Sequence, residues 1–317
     1  MSQDPVIDPV HAIPAANSLR RSRFRWRLLA FVALLIAAVA LYGRFASERS
    51  FGTPPSIARI TIEGTITTNS ARLKLIDAVA DDANVKAVIV KINSPGGTSA
   101  GGEEIYEALN RLREKKPTVA VVDELGASAA YMSAIATERI FVRRLSLVGS
   151  IGVLFQTYNA QKLFDTIGID ADKVASGPLK AEPDIDHPMT PEVRASLQAI
   201  VDDSHAWFVD IVAERRGLSL PETLALADGR IITGRQGLAA KLVDAIGGEA
   251  EAIDWLEADK AIADDLPIVD TFPLPAEGWL GVTRWLGRSA AQAVRSSIDE
   301  AMSLDGLVSL WHAAPSM

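Results

Sequence analysis

The chain has 317 residues, 48% hydrophobic and 23% charged, a globular mixture long enough for one large domain with appendages. Its formal net charge is -8, and no Lys/Arg cluster stands outside the N-terminal region, which excludes a general nucleic-acid binder because phosphate contacts need concentrated cations. Cysteine is absent, which excludes disulfides, thiolate nucleophiles and Cys-based zinc sites together and leaves the compartment open.

Residues 1–19 hold Pro, Asp, Asn and Ser without apolar periodicity, and residues 1–27 read as a cytoplasmic tail. Arg20, Arg21, Arg23, Arg25 and Arg27 then precede an uncharged run from Leu28 to Gly43, closed by Arg44. A spanning helix needs about 20 apolar residues, and Trp26 with the flanking arginines can extend the run by sitting at the interface. Residues 28–44 are therefore expected to form a single-pass transmembrane anchor with its basic side in the cytoplasm. A cleaved signal peptide is the rival reading, since Ala38-Val39-Ala40 has the form of a cleavage site. Either way the remainder lies outside the cytoplasm, at the inner (plasma) membrane of a bacterial-type cell.

Residues 45–56, FASERSFGTPPS, form a linker with Gly and two prolines. IARITIEG then alternates like a half-buried strand, Ser70 can cap a helix, and Leu73, Ile76, Asp77 and Ala80 mark its facing turns. KAVIVKI is a continuous branched run, as in a parallel strand covered on both faces, and it ends in NSPGGTSAGG. A helix from about Glu103 to Glu114, the strand TVAVVD, the small-residue segment ELGASAAY and the strand RIFV follow. This alternation implies an α/β fold with a largely parallel sheet, in which active sites gather at the carboxyl ends of the strands, so NSPGG and ELGASAAY should be neighbours. Further on, residues 191–217 read as one long helix with an apolar stripe of Val193, Leu197, Ile200, Val201, Trp207, Phe208 and Ile211. ADGRIITGRQGLAAKLVDAIGG gives a strand, a turn and a helix closed by Gly247-Gly248, and residues 272–317 read as a helical extension that could lie on a membrane or a partner.

Two segments could carry chemistry. Gly96-Gly97 permits backbone conformations closed to other residues, so N–H groups near Gly97 and Thr98 can face a cavity as oxyanion donors. A phosphate loop is the competitor, but the Walker pattern needs Lys before Ser or Thr, where this chain has Thr98-Ser99. Ser128 stands where a strand gives way to a helix, among Gly126, Ala127, Ala129 and Ala130, either as a nucleophile or as a simple helix cap. A base is needed. His11 lies in the tail, His205 within the long helix and His312 near the end, which leaves His187 in AEPDIDHPMT as the histidine candidate. A lysine serves only where burial lowers its pKa by several units from about 10.4, and Lys180 after VASGPL has apolar, small sequence neighbours, following what reads as a strand ending in Ser-Gly-Pro.

Taken together, INSPGG at 92–97, GASAAY at 126–131, LVGSIGV at 147–153, SGPLK at 176–180 and DGRIITGRQGLAAKLVDAIG at 228–247 resemble the signal peptide peptidase A family of membrane-anchored serine proteases, in its short form. The resemblance runs from Ile57 to Gly248 and departs where Ser128 is followed by Ala129-Ala130 rather than Gly-Gly. It implies a ClpP/crotonase-like fold over residues 57–271 and a Ser-Lys dyad without cofactor or metal. Ser128 would be the nucleophile, Lys180 the general base, Gly97 an oxyanion donor and Ser150 the residue that orients the lysine. The family further implies a homo-oligomer in which serine and lysine come from neighbouring subunits, acting on membrane-associated peptides such as cleaved signal peptides. The alternatives are an α/β-hydrolase-type esterase using Ser128 and His187, a crotonase-type acyl-CoA enzyme, for which an exported domain has no obvious supply of substrate, and a non-enzymatic membrane scaffold.

Overall fold

The computed structural model describes residues 54–273 and 307–310, with residues 30, 31, 33 and 34. The expected tail, most of the anchor, the linker before Pro54 and most of the extension lie outside the described residues, and so do His11 and His312. Residues 30, 31, 33 and 34 are helical; among the described residues no helix is long and apolar enough to cross a membrane. The chain divides into two units, Met1–Pro54 and Pro55–Met317, and the second holds the sheet.

That unit is α/β. Its central sheet runs β9-β1-β2-β3-β4-β8, with every pairing parallel: β1 Ser56–Ile66, β2 Val85–Thr98, β3 Thr118–Ala127, β4 Arg139–Val142, β8 Ala245–Ile246 and β9 Ile268–Phe272. The branched run in β2 is buried on both faces because successive side chains alternate between two cores. Val88, Val90 and Ile92 meet Ala120 and Val122 of β3 in the larger core. There they pack among α1 Ser70–Asp81, α2 Ser99–Arg113, α3 Ala129–Ile135 and α5 Pro191–Arg216. Ala87 and Ile89 face the other way, with Val119, Val121 and Phe141, onto α8 Glu249–Lys260. Leu256 of α8 is fully buried there, so Leu256→Ala removes about 2–5 kcal/mol of stability.

At their carboxyl ends the strands leave this plane. Register shifts between Glu63 and Thr65 and between Ile92 and Ser94 let β1 and β2 continue at a new angle. The end of β3, Leu125 to Ala127, leaves β4 and pairs in parallel with β5 Leu147–Gly149, which pairs antiparallel with β7 Ile231–Thr233. The end of β2, Gly96 to Thr98, pairs antiparallel with β10 Leu307–Leu310, which pairs antiparallel with β6 Leu154–Phe155. These extensions carry both candidate loops.

The remaining helices are α4 Gln161–Ile167, α6 Leu220–Leu226 and α7 Gly234–Ala239. Several expectations need correcting. Asn69, not Ser70, caps α1, accepting from the N–H groups of Ala71 and Arg72; Asp77 is exposed, and Val79 is buried instead. The second helix begins at Ser99 rather than Glu103, because Thr98 Oγ1 accepts from the Gly101 N–H. In α5 the apolar stripe is buried at Val193 and again from Phe208 onward, while Ile200 is 48% exposed. Gly247-Gly248 does not close a helix: α7 stops at Ala239, β8 intervenes, and Gly248 is the N-cap of α8. No strand precedes SGPLK, and four residues of the expected helical extension form β10.

Candidate active site

Ser128 sits where β3 becomes α3, with φ 58° and ψ -121°. A non-glycine residue held there costs on the order of 1–3 kcal/mol, a strain the surroundings must over-determine. They do so through the Ser128 N–H, which donates to the Gly149 carbonyl at 2.8 Å, and the Ser128 carbonyl, which accepts from the Met132 N–H at 3.0 Å. Although Ser128 occupies the N-cap position, its side chain makes no cap hydrogen bond. Packed among Ala127, Ala129 and Ala130, it is fully buried in the single chain. The reading of Ser128 as an ordinary helix cap is thereby removed.

The INSPGG loop lies alongside, as expected, with Ser94 paired to Gly126 across β2 and β3. Ser94 Oγ donates to the Gly64 carbonyl at 2.6 Å and accepts from the Gly96 N–H at 3.1 Å, which fixes the turn into the glycines. Gly96 has φ 108°, a conformation closed to most side chains. Gly97 is required for another reason: a Cβ there would collide with the backbone of Ile66, its partner on β1. Ser150 follows β5, buried, with φ 51° and its N–H donating to the Arg230 carbonyl at 2.8 Å. Since Ala127 pairs with Gly149, Ser128 and Ser150 emerge side by side from parallel neighbours. Gly97, Ser128 and Ser150 thus lie at the carboxyl ends of β2, β3 and β5.

Lys180 does not share this setting. It is exposed, on a stretch from Gly152 to Glu192 in which no residue is buried. Among the described residues no element covers that stretch, so the apolar burial expected of Lys180 is not found there. His187, on the same stretch, sets its Nδ1 2.6 Å from Asp186 Oδ1 and its Nε2 3.4 Å from Glu182 Oε1. The hydrogen bond to Asp186, aided by the charge of Glu182, raises its pKa. His205 Nε2 lies 3.0 Å from the Ala227 carbonyl, a structural contact. Among the described residues, Asp184, Asp186 and His187 have ligand atoms within 4.8 Å of one another and could hold a cation. Protein partners already occupy them: Lys173 on Asp184, and His187 with Asp186.

One feature escaped the sequence. A cavity of about 410 Å³ lies beside the strand ends, walled by Ser99, Glu103, Met132, Val153, Asp203 and Trp207. The only hint was Trp207, whose place on the apolar stripe made it read as core; its ring instead stands edge-on to Tyr106, with centroids 5.9 Å apart, and forms part of the wall.

The family model for peptidase family S49 matches residues 110–263. A Synechocystis protein assigned as a protease, slr0021, is 36% identical over 70% of this chain and 81% of its own length. An Enterococcus faecium protein assigned as signal peptide peptidase SppA is 30% identical over 70% of this chain and 66% of its own. Among solved structures, a variant of ClpP1 from Listeria monocytogenes has a TM-score of 0.40 at 15% identity, covering 62% of this chain and 94% of that one. A likeness so slight carries no argument about chemistry. Family match and extended sequence identity agree: this chain belongs to peptidase family S49, the serine-type peptidases that include SppA.

Proposed function

We propose that the protein is a serine endopeptidase of ClpP/crotonase-like fold with a Ser-Lys dyad, acting on membrane-associated peptides such as cleaved signal peptides. The observation that carries the reading is Ser128: strained and enclosed by small residues, on a strand end beside a glycine loop. Evolution keeps such strain where geometry matters more than stability.

In this mechanism Ser128 Oγ attacks the peptide carbonyl while the neutral amine of Lys180 takes its proton. The N–H of Gly97 stabilises the oxyanion, Ser150 orients the amine, and the protonated lysine returns its proton to the leaving amine. Water activated by the same amine then hydrolyses the acyl-enzyme. Lys180 reaches the serine of a neighbouring subunit, whose surface strips water from the amine and favours its neutral form. Support comes from the exposed apolar side chains around Lys180, among them Ile167, Val174 and Leu179, which a second copy would cover. Substrate adds as a strand along Gly96 to Thr98, the seat that β10 takes in this chain, so main-chain hydrogen bonds give affinity with little demand on sequence. Residues 28–44 anchor the chain, with the peptidase domain outside the cytoplasm.

The test is labelling by a serine-reactive phosphonate and mapping of the adduct. Modification of Ser128, with loss of peptide hydrolysis, is the expected result; hydrolysis that survives full labelling of Ser128 overturns the reading. The His187 esterase fares worse because both ring nitrogens of His187 already face carboxylates of its own stretch, Asp186 and Glu182.

A further inference from the structure

The geometry points to the cavity beside Ser128 as a subsite for a basic side chain, so that the peptidase selects peptides carrying Lys or Arg at one position near the cut. This rests on the peptidase reading above and names its substrate class.

Place comes first. β10 shows that an extended segment fits between β2 and β6: Val308 pairs with Thr98 on one side and with Leu154 on the other. The cavity walls include Ser99 and Val153, the residues adjoining those two partners. A strand in this seat therefore passes over the cavity mouth, and alternate side chains of a strand point to one face. Met132, whose N–H donates to the Ser128 carbonyl, forms another wall, so the cavity opens within one helical turn of the proposed nucleophile.

Chemistry comes second. Among the described residues the cavity is lined by Glu103 and Asp203 and by no cationic side chain. Neither carboxylate is paired with a Lys or Arg among the described residues, whereas Glu104 has Arg72 and Asp123 has Lys91. Trp207 and Met132 supply the apolar wall along which the stem of Lys or Arg can lie, and the indole face attracts a cation. An uncharged aliphatic side chain would fill the space but leave both carboxylates unanswered. An acidic one would be repelled.

The experiment uses the full-length protein and internally quenched peptides that differ only in carrying Lys, Arg, Leu or Glu at each position in turn. At one position Lys and Arg should exceed Leu by about tenfold in kcat/KM, from two charge pairs and one aromatic contact, with Glu poorest. In Glu103→Gln/Asp203→Asn the Lys-to-Leu ratio should fall to about one, and 0.5 M salt should compress the wild-type ratio. Both carboxylates are exposed, so the substitutions spare the fold. Hydrolysis with no basic preference at any position, or a preference that the double variant keeps, overturns the subsite while the peptidase reading stands. Should the wild type cleave nothing, the peptidase reading falls, and the same labelled peptides bound to Ser128→Ala by anisotropy decide the subsite: tighter binding of Lys and Arg peptides, abolished by the double substitution, upholds it, and equal binding overturns it.

Discussion

The strand ends and the stretch from Gly152 to Glu192 are built on opposite terms. Gly97, Ser128 and Ser150 are all buried, and the backbone bonds of Ser128 and Ser150 lock two positive-φ residues in place. On the other stretch no residue is buried, and α4 presents Leu163 and Ile167 to solvent, each 58% exposed. A chain does not ordinarily spend that many aliphatic side chains on water. The difference teaches that half of the proposed site is enclosed by the described residues of one chain, while the half carrying Lys180 is not.

The sharpest way to break this comparison is to separate the halves. Ser128→Ala and Lys180→Ala should each reduce kcat by about 1000-fold or more. Mixed after dissociation and reassembled, the two inactive proteins should regain about a quarter of wild-type activity, because a subunit pair can join an intact serine to an intact lysine. A dyad within one chain would give no recovery. Next in size is Gly97→Ala. Its Cβ collides with β1 backbone rather than with a movable side chain, so the loop must shift, costing about 1–3 kcal/mol of stability and about 100-fold or more in rate. Full activity in that variant would remove Gly97 from the oxyanion site.

A smaller effect on the fold, with a larger one on assembly, is expected from Ile167→Glu. Since Ile167 is already 58% exposed, the folding free energy should change by no more than about 0.5 kcal/mol. If a second copy covers this face, the charge should shift the protein toward monomer in sedimentation and lower activity in proportion. An unchanged assembly would place the subunit contact elsewhere.

Much of this was legible in the sequence, for identifiable reasons. RIFV and KAVIVKI reveal themselves because branched residues in short runs suit a sheet covered on both sides, and β4 occupies Arg139–Val142 as read. The neighbourhood of NSPGG and ELGASAAY followed from both loops leaving strands at the same edge. Lys180 is exposed in the single chain because the apolar, small residues before it describe its sequence neighbours, whereas burial depends on what packs from afar. β10 was invisible for a related reason: its partners are Gly96, Gly97 and Thr98, which lie more than two hundred positions away, and pairing over that distance leaves no periodicity in either segment. The cavity escaped because Trp207 has the spacing of a core residue and differs only in what faces it.

The smallest expected effect concerns how the exposed stretch holds its shape. Lys173 Nζ reaches Glu182 at 2.6 Å and Asp184 at 2.8 Å, while Asp186 holds His187. The bond to Lys173 lowers the pKa of both Glu182 and Asp184, so their contribution is complete above their unfolded values, about 4, and is lost as pH falls through the depressed ones. His187 runs the other way: its pKa is raised by Asp186, so its contribution is complete below about 6.5 and is lost as pH rises through the raised value. Lys173, also raised, keeps its charge throughout this range. The stretch should therefore be most protected between about pH 5 and 6.5, loosening first toward acid and then toward neutrality. Amide exchange of residues 172–188, corrected for intrinsic rates, measures this directly, and because Lys173, Asp184 and His187 are partly open to solvent the protection should shrink in high salt. Flat protection from pH 3 to 8 would mean that the ion cluster does not shape the segment, and that its conformation, like the environment of Lys180, is set by the surface that covers it.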